Sequence, residues 1–128
     1  MNYKFVLIFL VLFLNSCIPI ENDKLSKKKV IIESFSNKGF TLVYEDSLFQ
    51  KKIVNKKINN RDLIIFQKNL AKGTSVKISN PSNNKSIVAK VGKNSTYPSF
   101  NNSVISKRIF SELELDLEDP YIHIQEIK

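Results

Sequence analysis

The sequence predicts an all-β fold, a small barrel of six strands with one short α-helix near the carboxy end. Three observations predict it. Six short stretches are rich in β-branched and aromatic residues, and several alternate apolar and polar side chains as half-buried strands do. Turn residues stand between them: Gly39, the pair Lys72-Gly73, and the run Asn80-Pro81-Ser82-Asn83-Asn84. Apolar residues recur at helical spacing in one segment alone, so the chain must protect many strand edges, and closure into a barrel does this.

Ahead of the barrel, MNYKFVLIFLVLFLNSC combines basic Lys4, an apolar run of ten residues from Phe5 to Leu14, and a lone cysteine, Cys17. This is the pattern of an export signal. Ten helical residues reach about 15 Å against a hydrocarbon core of about 30 Å, too short for a permanent span. Leu14-Asn15-Ser16-Cys17 resembles the bacterial lipobox, in which the cysteine is acylated and becomes the new amino terminus. Two or three acyl chains on Cys17 would hold the chain stably on a membrane. Ile18 follows, with no aspartate to retain the lipoprotein at an inner membrane, so the expected location is the bacterial envelope, on the outer membrane facing the periplasm. The resulting division is a signal peptide at 1–16, a lipidated tether at 17–29 and a barrel domain at 30–128.

The formal charge is +8, and +7 once Lys4 leaves with the signal. Export removes nucleic acid from the possible partners and leaves peptidoglycan carboxylates and phospholipid head groups. The predicted strands are VIIESF (30–35), FTLVY (40–44), LIIF (63–66), TSVKIS (74–79), KSIVAKV (85–91) and YIHIQEI (121–127). In SKRIFSELELDLEDP, the residues Ile109, Phe110, Leu113 and Leu117 share a helical face, Ser106 can cap the start and Pro120 stops the pattern.

Residues 66–91, FQKNLAKGTSVKISNPSNNKSIVAKV, resemble the RlpA-like (rare lipoprotein A) family of double-psi β-barrel lipoproteins. That family carries A-H-K-T-L-P-x-G-T-x-V-x-V-T-N, an N-G-K/R-S hairpin, V-V-V-R-V, the loop N-D-R-G-P-F and a helix introduced by D-L-S. Leu70, Gly73, Thr74, Val76, Ile78 and Asn80 match the first segment, and Asn83, Lys85, Ser86, Val88 and Val91 the hairpin and strand. Ser106 matches the serine of the helix, and the resemblance extends over residues 61–127. It implies a six-stranded double-psi β-barrel.

The family's enzymes are lytic transglycosylases. Their chemistry needs a carboxyl group to protonate the glycosidic oxygen and to deprotonate the muramyl C6 hydroxyl, with an assisting imidazole. Carried across, the histidine position holds Gln67 and the aspartate position holds Lys93, with Gly92 where the asparagine would be and Val104 at the aspartate of D-L-S. Glutamine does not titrate, and lysine is a poor acid and almost wholly protonated at neutral pH. No catalytic residue, cofactor or metal site is therefore expected; His123 is the only histidine and alternates outward from Ile122 and Ile124. The preferred reading is a lipoprotein that binds peptidoglycan glycan strands without cleaving them. Its candidate contacts are Gln67, Lys93 and Asn94, with Tyr97 for stacking on a sugar face. One alternative keeps a divergent transglycosylase that uses Asp62, Glu45 or Asp46; another is a module that binds other envelope proteins. Glu112, Glu114, Asp116, Glu118 and Asp119 read as surface charge.

Overall fold

The protein is described by a computed structural model covering residues 34–128. The expected signal peptide, Cys17, the expected tether and residues 30–33 of the first predicted strand lie outside the described residues. Six strands form a closed barrel: β1 (Ser36–Val43), β2 (Ile64–Phe66), β3 (Ser75–Asn80), β4 (Lys85–Val91), β5 (Ser103–Ile105) and β6 (Tyr121–Glu126). Their order around the barrel is β1-β5-β2-β4-β3-β6, returning to β1. Two contacts are parallel, β1 with β5 and β2 with β4; the other four are antiparallel.

The alternation read in the sequence is what fills this barrel. Val76 and Ile78 of β3, Ala89 and Val91 of β4, and Ile122 and Ile124 of β6 point inward with Ile65 and Ile105. The helix α2 (Lys107–Glu112) and the residues after it close the core with Ile109, Leu113 and Leu115. Ser106 caps α2 as expected, its Oγ accepting from the Ile109 amide at 3.3 Å while its hydroxyl donates to the Asp62 carbonyl. The helix stops at Glu112 rather than running to Pro120, because Glu114 takes up a left-handed φ of 49°. Leu117 consequently falls off the predicted helical face and stands 70% exposed.

Three further expectations are corrected. A second helix, α1 (Asp46–Gln50), forms where none was predicted; five residues are too few for a periodic signal. It begins the segment that covers the outer face of β2 and β5, where Tyr44, Val54, Ile58 and Tyr97 bury Phe66 and Val104. The sixth strand is β5, SVI, whose three residues are all buried and so show no alternation to read, whereas Ser34 and Phe35 are not in a strand. Gly39 is not in a turn: it sits inside β1 opposite Ile122, and a Cβ there would come within 3.2 Å of Asn102. Close packing of the Asn102 side chain, rather than a bend, is what favours glycine at this position. The Asn80–Asn84 hairpin does join β3 to β4, with Asn84 at φ 63°.

His123 projects from β6 beside the Ser36 hydroxyl, 2.8 Å from Nε2. Partial desolvation, then Lys38 and Lys77, hold its proton affinity below the ordinary value of 6.5. The folded barrel therefore binds this proton less readily than the unfolded chain does. Stability from this source is complete above 6.5 and falls slightly as pH drops through it toward the lowered native value. Urea midpoints measured on either side of that pH are expected to differ more in the wild type than in His123→Gln; equal differences would exclude the residue as the source.

Candidate functional site

A groove of about 300 Å³ opens where the start of β1, the turn after β2 and the segment leading into β5 meet. Asn37, Lys38 and Gly39 form one wall, Gln67, Lys68 and Asn69 another, and Tyr97 with residues 99–102 the third. The side chains around it are amides, ammonium groups, a hydroxyl and two aromatics. Among the described residues its lining includes no aspartate, glutamate or histidine.

Gln67 is a brace in this groove. It is only 4% exposed, its Nε2 donates to the Asn102 carbonyl at 2.9 Å, and its Oε1 accepts from the Asn69 amide at 2.6 Å. Both ends of the amide are thus tied to backbone, one across to the strand-entry segment and one within its own turn. Tyr97, 7% exposed, works in parallel: its Oη accepts from the Lys68 amide at 3.1 Å and donates to the same Asn102 carbonyl at 3.3 Å. Burial raises the Tyr97 phenol above its ordinary value, with the Lys68 amide acting in the opposite sense, so it stays a donor at neutral pH. The Lys68 ammonium lies over the ring, 4.6 Å from its centroid. That face is already occupied.

The open aromatic surface belongs to Phe100 instead. It is 75% exposed and stacks in parallel on Phe40 at 5.6 Å, while Phe40 meets Tyr121 edge-on at 5.2 Å. Phe40 and Tyr121 are cross-strand partners of β1 and β6, so the barrel itself supports the stack. Asn102 fixes the floor, its Nδ2 donating to Asn37 Oδ1 at 3.0 Å and its Oδ1 lying 2.9 Å from the Ser103 hydroxyl. Asn37, Asn69, Phe100 and Asn102 were not singled out from the sequence. The one signal available was the phenylalanine closing the loop KNSTYPSF; the asparagines are lost in a chain rich in that residue.

The structure separates the remaining candidates. Gln67 and Lys93 each lie two residues past the parallel register pair Ile65↔Val91, yet Lys93 borders a different cleft. In that cleft it stands with Asp62. Asn94 is exposed on the intervening loop and lines neither cleft. Glu45 lies 3.9 Å from Lys107, and Asp46 accepts from the Tyr44 hydroxyl at 3.1 Å; neither reaches the groove. The five carboxylates around α2 and its exit are all exposed.

The barrel is a double-psi β-barrel. In fold it resembles a rationally designed protein of this class, apDPBB_sym_79, with a TM-score of 0.51 and 12% identity over 73% of this chain and 100% of that one. A second rationally designed barrel, mkDPBB_sym2, matches over the same shares at 14% identity and a TM-score of 0.48. No family model matches the chain, and no curated protein does.

Proposed function

We propose that the chain is a glycan-binding protein of the bacterial envelope that holds peptidoglycan strands without cleaving them. The observation that carries this reading is the groove's lining: five amide side chains, two lysines and an exposed aromatic face, with no carboxyl group or imidazole among the described residues. Sugar recognition uses that set, since amides pair with hydroxyls in both senses and an aromatic face takes the apolar side of a pyranose. Transglycosylation needs an acid that the lining lacks. Lys38 and Lys68 offer charge to muramyl or stem-peptide carboxylates. The resemblance to RlpA-like lipoproteins, and the export signal with its lipidation cysteine, Cys17, supply the glycan and the compartment for this reading.

The contacts assigned here are Phe100 for stacking, with Asn37, Asn69, Asn101 and the two lysines for polar groups; Gln67 and Tyr97 hold the groove's shape. The test is incubation of the mature chain with purified sacculi. Retention in the pellet with no anhydromuramyl products by mass spectrometry is expected, and time-dependent anhydromuramyl fragments would overturn the non-cleaving reading. Phe100→Ala is expected to weaken retention by about fivefold or more, as removal of an aromatic contact does, while lowering the thermal midpoint only slightly through loss of the stack on Phe40. Undiminished retention would take the stacking role away from Phe100.

A further inference from the structure

The second cleft, about 320 Å³, is charged very differently from the groove. Lys56, Lys57, Lys72 and Lys93 line it, from three separate stretches of chain, against a single carboxylate, Asp62. Its apolar floor is Ile64 with the buried Ile58 and Phe66. Among the described residues the ion pairs involve Lys85, Lys107 and Arg108, and none of these four lysines. The Lys57 ammonium rests over the ring of Phe49, 5.0 Å from its centroid, and Phe49 is not part of the cleft lining. Gly92 keeps the cleft open at its base, since a Cβ there would meet Ile64 Cγ2 at 2.9 Å. Lys56, Lys72 and Lys93 border one concavity with like charges, and a bound anion would offset their mutual repulsion.

We infer that this cleft binds a phosphate group, carried on a lipid headgroup or on a soluble phosphate ester. The choice of phosphate follows from the donors. Lysines outnumber the one carboxylate in the lining, and the excess of positive charge matches the higher charge of a phosphate better than the single charge of a carboxylate. Ammonium groups act as movable point charges with three donors each, which suits the several oxygens and higher charge of a phosphate. This site is independent of the glycan groove, and either can fail without the other.

The test follows backbone amide shifts of the unacylated chain from residue 18 onward, which holds the whole closed barrel, during titration with glycerol 3-phosphate. Saturable shifts at residues 56–59, 72, 92 and 93 are expected. Lys72→Gln and Lys93→Gln are each expected to weaken binding by roughly fivefold, the effect of about one basic side chain near an anionic group. Lys85→Gln and Lys107→Gln, outside the cleft, should leave it unchanged. All four lysines are exposed, so the single variants remain readable should a quadruple variant fold poorly. Co-sedimentation with vesicles of phosphatidylcholine alone or mixed with phosphatidylglycerol separates the sources. Binding to the mixed vesicles that is lost in Lys72→Gln and Lys93→Gln identifies a headgroup, and phosphate-ester binding without vesicle binding identifies a soluble ester. Shifts that never saturate, or that fall equally on Lys85 and Lys107, overturn the inference.

Discussion

Replacing Ile124 with alanine is expected to lower the free energy of unfolding by about 2–5 kcal/mol, as deletion of a fully buried branched side chain does. Ile124 is fully buried in β6, where it pairs with Asn37 of β1 on one side and Ile78 of β3 on the other. Its side chain belongs to the cluster that fills the barrel. A closed barrel relaxes little around such a hole, because every strand is tied to two neighbours. A domain of this size has a total stability of about 5–15 kcal/mol, so the variant would lose a large share of it. Chemical denaturation of wild type and Ile124→Ala, with a comparable denaturant slope for both, measures the difference. A loss below about 1 kcal/mol would mean that the barrel interior is less tightly packed than the structure describes.

Ile124 also indicates how much of the fold was legible from the residues. The strands whose neighbours were wet on one side wrote themselves into the sequence, because Val76, Ile78, Ile122 and Ile124 had to alternate with polar partners. The segment KSIVAKV, 85–91, is β4 to the residue. Strands buried on both faces left no such trace: β5 reads simply as SVI, since Val104 faces the outer cluster while Ile105 faces the barrel. For the same reason the cover formed by Tyr44, Val54 and Ile58 was invisible, its residues being spaced by a turn and a loop rather than by a period. The site was half legible. Gln67 and Tyr97 do meet, through one carbonyl of Asn102, but the pairing of Gln67 with Lys93 depended on strand ends whose side chains diverge after the ladder stops.

Gln67→Leu is expected to cost about 0.5–1.5 kcal/mol in stability, because the similar volume is kept while the part-buried hydrogen bond from the Asn69 amide is lost. The acceptor on the other side is partly protected. The Asn102 carbonyl keeps its contact from the Tyr97 hydroxyl when Gln67 is removed, and keeps Gln67 when Tyr97→Phe is made. Only the double variant leaves that carbonyl without either donor. Its loss is therefore expected to exceed the sum of the two single losses by about 0.5–3 kcal/mol, the range of coupling between residues that share a partner. Additive losses would mean that the two side chains do not act on one carbonyl. The same pair should couple in retention on sacculi, since Asn102 carries the floor of the groove through its bond to Asn37. A groove whose polar side chains are this committed to one another presents a fixed surface, and Phe100 and the asparagines at its edge are then the positions where ligand contact can be varied without undoing the fold.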